Sequence, residues 1–248
     1  LHSFPTRRSS DLWALEIQPH NPALSYWHEV YRFYEPLRRL GIGIDFVRPE
    51  ADLSRYRLVV APLLFIMDAP MAARLRAYVE NGGRLVGTFR SGVKNPDNTV
   101  CELPLPGLLA NTFGIRVEEY DSMRSGGANA VRMLATNATS TAKIWADIIQ
   151  PEGARVLGVY TDDFYAGRAA VTEMTLGGGR AYYFGTVLEQ EFYVDFFRDL
   201  ADELGLRRLP WVPENVDASV RSIDGRRFIF LVNPCRQPAP VKLDAAYR

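Results

Sequence analysis

The stretch LVVAPLLFIMDAPMAARLRAYVENGGRLVGTF, residues 58–89, decides the fold class. Leu58 to Met67 is an apolar run of the kind found in strands buried on both faces. Asp68-Ala69-Pro70 is a helix-start signal, a cap residue followed by proline in the first turn, and Gly82-Gly83 ends that helix. Arg84 to Phe89 is a second buried strand. Strand, helix and strand in this order predict a parallel βαβ unit.

The same alternation continues on both sides of this unit. Upstream, apolar residues recur at intervals of three and four from Ser25 to Leu40, which predicts an amphipathic helix, and Ile42 to Val47 follows as a strand. Downstream come three β-rich runs: ARVLGVY (154–160), AAVTEMTL (169–176) and RAYYFGT (180–186). Residues 129–150 show no decisive period, and we assign them to neither class.

The carboxyl-terminal part has a different pattern. A helix is predicted from Glu189 to Leu204, followed by a proline-containing linker. Two alternating runs then flank Asp224-Gly225, which is a strong hairpin signal. We therefore predict an α/β domain over residues 13–207 and the start of a small antiparallel β domain over residues 208–248.

The first twelve residues, LHSFPTRRSSDL, show neither a helical period nor strand alternation. They agree at every position with one reading frame of a common sequencing-adapter oligonucleotide. We therefore interpret residues 1–12 as a translated adapter scar and expect them to take no part in the fold.

Composition excludes several functional classes. Lys+Arg and Asp+Glu both number 29, so the formal net charge is zero and gives no reason to expect nucleic acid or a membrane surface as partner. No apolar run reaches the ~20 residues of a membrane span. The two isolated cysteines, Cys101 and Cys235, are expected to be free thiols of a cytoplasmic protein. No nucleotide motif or metal-ligand spacing occurs, so we predict neither cofactor nor metal.

Nucleophilic catalysis finds little support in the sequence. Cys101 lies in a loop, and the three histidines (His2, His20 and His28) all precede it, whereas a class I amidotransferase places its histidine after the cysteine. A free-standing amidotransferase-like binding or assembly domain remains the alternative interpretation. A carbohydrate-binding module would need several exposed aromatics, and Trp145 and Trp211 are too few to support one.

Aromatic residues are unusually placed in the helix at Ser25–Leu40. Trp27, Tyr31 and Tyr34 lie off its main apolar stripe. Surplus aromatic surface on a helix is typical of an oligomer interface. The pattern by itself therefore favours an assembly domain over an enzyme.

The order of the segments and their amino-acid sequences resemble those of one known family over essentially residues 13–248. The segments that carry the resemblance are WALEIQP, YRFYEPLRRLGIGIDFVRPEADLSRYRLVVAPLLFIM, RAYVENGGRLVGTFRSGVKNPDN, GIRVEEYD, WADIIQPEGARVLGVYTDDFYAGRAAVTEMTLGGGRAYYFGT and RRFIFLVN. Together they are similar to the β-galactosidases of glycoside hydrolase family 42.

The resemblance implies that separate domains carry out catalysis and trimer formation. In that family a (β/α)8 barrel carries the catalytic glutamates, a flavodoxin-like or class I amidotransferase-like α/β domain forms the trimer, and a small β domain follows. This sequence matches the second domain and the beginning of the third, so no catalytic residue is assigned. The implied partners are further copies of the chain, as a homotrimer, and a β-galactoside bound through the barrel. The adapter would replace most of a central strand, so we expect a marginally stable chain.

The resemblance also suggests one contact site. The loop after the strand at Arg84–Phe89 lies where α/β sheets present their functional loops. We predict that this loop contacts a neighbouring subunit near the entrance of that subunit's active site. The alternative is an ordinary solvated loop. The predicted contact residues are Arg90, Ser91, Lys94, Asn95 and Asn98.

Overall fold

The computed structural model describes residues 2–5, 9–48, 50–206, 209, 212–213 and 215–243. The helices are α1 (Ser9–Ile17), α2 (Tyr26–Arg39), α3 (Ala69–Glu80), α4 (Ala110–Phe113) and α5 (Gln190–Glu203). The strands are β1 (His2–Pro5), β2 (Ile44–Val47), β3 (Leu58–Ala61), β4 (Arg84–Thr88), β5 (Ile115–Ser122), β6 (Ala128–Met133), β7 (Thr139–Pro151), β8 (Arg155–Tyr160), β9 (Ala169–Leu176), β10 (Gly179–Phe184), β11 (Thr186–Val187), β12 (Asp217–Ile223) and β13 (Arg226–Val232).

One large sheet runs through the α/β part, and it has two halves. In the first half, β2, β1, β3, β4 and β10 lie side by side and all pairs are parallel. In the second half, β9, β8, β6, β7 and β11 continue the sheet with antiparallel pairs, and β5 pairs with β7. The predicted parallel sheet with flanking helices therefore forms only part of a mixed sheet.

The parallel strands are buried on both faces, as the apolar runs predict. Alternate residues point to opposite faces, so Val60 and Val86 belong to one buried cluster and Val59 and Leu85 to another. Helices α2 and α5 cover the first cluster, and α3 covers the second. This two-sided burial explains why the strands contain almost no polar residue.

Helix α3 begins and ends where the sequence predicts. The Asp68 carboxylate accepts a hydrogen bond from the Met71 N–H at 2.7 Å, which satisfies one of the free amides of the first turn. At the other end, the three-glycine turn between β9 and β10 fits closely against the helix. A Cβ on Gly179 would lie 2.1 Å from the Val79 carbonyl oxygen, so the turn packs on backbone. Gly177 and Gly179 therefore allow the turn to pack directly on the backbone of the helix end.

Two parts of the chain depart from the sequence prediction. Residues 129–150, which had no decisive period, form most of β6 and β7. The apolar run from Leu58 is a strand only to Ala61. Beyond it Pro62 breaks the ladder, Leu63 takes a positive φ of 48°, and the remaining residues form a buried loop.

The expectation that residues 1–12 stay outside the fold is wrong. Strand β1 lies parallel between β2 and β3, with His2 in register with both Ile44 and Leu58. Asp11 is fully buried, and its carboxylate accepts a hydrogen bond from the Ile66 N–H at 2.6 Å. The sheet therefore has no gap between β2 and β3, although β1 is the second strand from the edge and not a central one.

The hairpin at Asp224-Gly225 forms as predicted. Strands β12 and β13 pair antiparallel from Asp217↔Val232 to Ile223↔Arg226. An ion pair of 2.7 Å between Arg38 on α2 and Asp217 ties the hairpin to the α/β part. The domain boundary predicted at residues 207 and 208 lies outside the described residues.

Gly87 is expected to tolerate no side chain. A Cβ there would lie 2.3 Å from the Cζ atom of buried Phe113. Gly87→Ala should therefore lower the free energy of unfolding by about 1–3 kcal/mol in urea denaturation. Gly43→Ala is the matched control, because its Cβ would meet nothing within 4 Å, and it should be neutral. Equal stability of the two variants would contradict the packing described.

Deletion of residues 1–8 tests the role of β1. Without this strand, β2 and β3 lose the backbone partners they share with it. Buried backbone groups left unpaired cost about 1–3 kcal/mol each, so the truncated chain should lose at least ~3 kcal/mol or become insoluble. Unchanged urea denaturation would show that β1 contributes nothing to the fold.

Candidate functional site

The loop after β4, residues 90–98, lies at the carboxyl end of the parallel strands. Backbone hydrogen bonds join it to the segment after β3: Lys94 N–H donates to the Phe65 carbonyl, and Met67 N–H donates to the Lys94 carbonyl, both at 2.9 Å. Gly92 N–H donates to the Leu64 carbonyl at 2.8 Å. These bonds fix the loop against the segment that follows β3, at the carboxyl ends of the two strands.

Arg90 is buried at the root of this loop. Its guanidinium carbon lies 4.7 Å from the ring centroid of Phe65 and 4.9 Å from that of Trp145, so the cation is held between two aromatic faces. Its Nη2 lies 3.0 Å from Nδ1 of His20, and the same ring nitrogen lies 2.8 Å from the Gln18 carbonyl oxygen. Burial lowers the pKa of Arg90. The side chain therefore anchors the loop to the core.

Of the other four predicted contact residues, one is buried and three are partly or fully exposed. Ser91 is buried, and its hydroxyl donates to the Thr88 carbonyl at 2.7 Å. Lys94 and Asn95 are half-buried, and Asn98 is exposed. The Lys94 Nζ donates to the Asn98 carbonyl at 3.2 Å, which closes the turn. The surface that a neighbour could touch is therefore the tip of the loop rather than its root.

Beside Arg90 lies a buried carboxylate that the sequence analysis did not single out. Asp147 on β7 accepts hydrogen bonds from Trp145 Nε1 at 2.8 Å and from the Tyr183 hydroxyl at 2.7 Å. Burial raises the pKa of Asp147 to about 6, and the two hydrogen bonds and the Arg90 charge oppose that rise. Since Tyr183 lies on β10, this carboxylate links the antiparallel half of the sheet to the parallel half.

The buried carboxylates of the described chain all have protein partners. Asp11 is bonded to the Ile66 amide, Glu29 to Arg32, Asp147 to Trp145 and Tyr183, and Glu173 to Arg155. Hydrolysis of a glycoside needs two carboxyl groups facing one cleft. Three of these four carboxylates bond to a different segment of the fold, and the Glu29–Arg32 pair lies within α2.

The described residues do not support nucleophilic catalysis by a cysteine paired with a histidine. Within the described ranges, no hydrogen bond joins Cys101 to a histidine, and the His20 ring instead contacts Arg90 and Tyr120. No group of three or more His, Cys, Asp or Glu side chains is placed to hold a metal ion in the part of the chain that the structure describes. None of the described helices is long and apolar enough to cross a membrane.

The surplus aromatics of α2 lie mostly on the surface. Trp27 and Tyr31 are exposed, whereas Tyr34 is half-buried and stacks on Phe46 with 5.8 Å between ring centroids. Trp145 is fully buried, so it is not a sugar-binding platform. Trp211 lies outside the described residues.

Comparison with known proteins identifies the family. A family model described as "Beta-galactosidase trimerisation domain" matches residues 8–207. The chain belongs to this family. The match begins inside the segment that we interpret as an adapter, and it includes the whole of α1, the β4 loop and α5.

Curated relatives and solved structures agree with the family match. The chain is 35% identical over 243 residues to β-galactosidase BglY of Alicyclobacillus acidocaldarius, covering 94% of this chain and 35% of the relative. It is 33% identical to β-galactosidase BgaP of Planococcus sp., covering 89% and 33%. The structure superposes on a β-galactosidase from Bacillus circulans sp. alkalophilus with a TM-score of 0.89 and 30% identity, covering 94% and 35%.

These matches confirm the resemblance to glycoside hydrolase family 42. The chain spans about a third of the length of the β-galactosidases it matches. The matched third is the trimerisation domain, which is a non-catalytic region of those proteins. The site at the β4 loop is therefore best considered as part of a trimerisation domain.

The raised pKa of Asp147 predicts a pH dependence. Its ordinary pKa is 3.8 and its folded pKa is about 6, so the folded chain binds a proton more tightly than the unfolded chain between these values. The carboxylate therefore destabilises the fold increasingly as pH rises from 4 to 6, by about 3 kcal/mol in total. Asp147→Asn carries no charge. Relative to the unmodified chain, its free energy of unfolding should rise by that amount over this window.

Urea denaturation at pH 4, 5, 6, 7 and 8 measures the effect. Asp224→Asn is the control, because Asp224 is exposed at the hairpin turn, and its difference from the unmodified chain should stay small at every pH. If the free energies of unfolding of Asp147→Asn and the unmodified chain differ by the same amount at every pH, the raised pKa of Asp147 is contradicted.

Proposed function

We propose that this chain is the assembly part of a family 42 β-galactosidase and that it holds copies of the protein together as a homotrimer. The observation that carries the proposal is the match of residues 8–207 to the trimerisation domain. The exposed aromatics of α2 support it, because Trp and Tyr are the residues on which stable interfaces rely.

The parent protein would hydrolyse terminal β-galactosides with retention of configuration. One carboxylic acid protonates the leaving oxygen, a carboxylate forms the galactosyl-enzyme, and water then releases the sugar. The two carboxyl groups would come from a catalytic barrel, and we assign neither to this chain. The substrate is reached through that barrel. The free cysteines, Cys101 and Cys235, fit a cytoplasmic protein.

The parallel half of the sheet supports the finer fold description, a flavodoxin-like or class I amidotransferase-like domain. Adjacent parallel strands with α2 and α5 on one face and α3 on the other are the layers of such folds. The functional loops of these folds follow the carboxyl ends of the strands. The loop at residues 90–98 occupies that place, and we propose that its exposed tip contacts a neighbouring subunit.

The mass of the chain in solution tests the proposal. Light scattering after size exclusion, at concentrations from about 1 to 100 μM, should give three times the 28.0 kDa of one chain. The same sample should release no nitrophenol from nitrophenyl β-galactoside. A monomer throughout this range would overturn the assembly role, and turnover of the galactoside would overturn the non-catalytic assignment.

A further inference from the structure

One nitrogen of the His20 ring faces two groups that make opposite demands on it. The Nδ1 atom lies 3.0 Å from Nη2 of Arg90 and 2.8 Å from the Gln18 carbonyl oxygen. A guanidinium can only donate a hydrogen bond, and a carbonyl oxygen can only accept one. Nδ1 needs a lone pair for the first bond and a proton for the second. In any one protonation state it therefore bonds to one of the two groups and not to both.

The backbone next to this ring is held by hydrogen bonds that do not involve the ring. The Ser122 hydroxyl donates to the His20 carbonyl oxygen at 2.7 Å. The neighbouring side chain, Asn21, donates from Nδ2 to the carbonyl oxygens of Met123 and Ile144, at 2.8 Å each. The connection between α1 and α2 is thus attached to the end of β5 and to β7. A proton gained by the ring is therefore expected to change the bonds of the side chain and not the path of the backbone.

The neutral ring favours the arginine. A hydrogen bond from a charged donor is roughly twice as strong as one between neutral groups. The Nε atom of Arg90 is buried without a hydrogen-bond partner among the described residues, so loss of His20 would leave the guanidinium with still fewer bonds. Gln18 is exposed, and water can replace the ring at its carbonyl oxygen. We therefore expect the neutral ring to carry its proton on Nε2 and to accept from Arg90 through Nδ1.

A second proton reverses this preference. It binds to Nδ1, which then donates to the Gln18 carbonyl oxygen and presents a positive charge to the guanidinium. The two cations repel each other, and Nη2 of Arg90 loses its acceptor. Histidine is the side chain that ordinarily gains its charge between about pH 8 and 5. We propose that His20 is a proton-dependent switch, which bonds the α1–α2 connection to the root of the β4 loop when neutral and releases it when charged.

The other titratable groups around this pair come from three strands. The Tyr120 ring on β5 lies against His20, with 6.5 Å between the ring centroids. Asp147 on β7 and Tyr183 on β10 act on the charge of Arg90. Tyrosine hydroxyls stay neutral across this pH range, since they ordinarily titrate near pH ~10. Asp147 does not stay in one state, because burial raises its pKa to about 6, so a test has to separate it from His20.

Release of the contact loosens the loop without detaching it. The Arg90 side chain remains between the rings of Phe65 and Trp145 in either state of His20. The backbone bonds of Gly92 and Lys94 to the segment after β3 do not involve the histidine. What changes is the link between the loop and the α1–α2 connection. The switch operates within one copy of the chain, so it does not depend on the proposed self-association.

Nitrogen NMR of the histidine rings tests the switch in the unmodified chain. The sequence has three histidines (His2, His20 and His28), and replacing each by glutamine assigns its signals. At pH 8, Nδ1 of His20 should have the chemical shift of an unprotonated ring nitrogen, and at pH 5 that of a protonated one. A protonated Nδ1 at pH 8 would show that the ring bonds to Gln18 throughout and would overturn the proposal. An unprotonated Nδ1 at pH 5 would overturn it equally.

A double-mutant cycle tests whether the contact stabilises the fold. His20→Ala removes the ring, and Arg90→Met removes the donor and its charge but keeps an apolar side chain between the two aromatic rings. The coupling free energy is obtained from urea denaturation of the four chains at one protein concentration. It should be stabilising at pH 8 and absent or destabilising at pH 5. A coupling that is the same at both pH values would contradict the switch.

His28→Ala with Arg90→Met is the matched control cycle. His28 is exposed on α2, where its charge acts on Glu29, so its coupling to Arg90 should be small at both pH values. Both cycles are repeated with Asp147→Asn, which removes the other titration of this pH range. A pH-dependent coupling that disappears there belongs to Asp147 and would overturn the role of His20. Circular dichroism checks that Arg90→Met is folded, and where it is not, the NMR measurement on the unmodified chain decides.

Discussion

The fold depends on burying the central parallel strands on both faces. β3, β4 and β10 present apolar side chains alternately to α2 and α5 on one side and to α3 on the other. Neither face can be left to water, since burying a Val or Leu side chain contributes about 1.5–3 kcal/mol. The positions of the flanking helices follow from this requirement, and so does the close fit of the glycine turn against α3.

The same constraint determines what the loops at the strand ends can do. Because the strands are fixed, the segments after β3 and β4 can hydrogen-bond to each other and hold the β4 loop in one conformation. Arg90 and Asp147 then occupy the space beneath the loop, one as a cation between aromatic rings and the other as a carboxylate bonded across β7 and β10. Burying such groups is costly unless they are paired, which explains why they have protein partners.

The sequence predicts the parts of the fold whose signals are local. The βαβ unit, α2, α5 and the Asp224-Gly225 hairpin each have a period, a cap or a turn signal, and they form close to where these place them. β1 and β7 were missed for tertiary reasons: β1 is a strand because of its place between β2 and β3, and β7 pairs with several strands while Ile144 takes a positive φ. The position of the β4 loop at the carboxyl ends of the strands could be predicted from the strand before it, and its role as a subunit contact stays a prediction. Asp147 could not, although Trp145-x-Asp147 would share one face of any strand.

Two-sided burial also decides where a second copy of the chain can dock. With both faces of the parallel strands covered, no apolar surface of β3, β4 or β10 remains for a partner, and each of their large apolar side chains is buried. What remains is the outer side of the helices and the loops beyond the strand ends. The exposed aromatics of α1 and α2 and the apolar residues after the β4 loop lie in these two places. Any contact with a second copy must therefore use side chains of the helices and loops rather than of these strands.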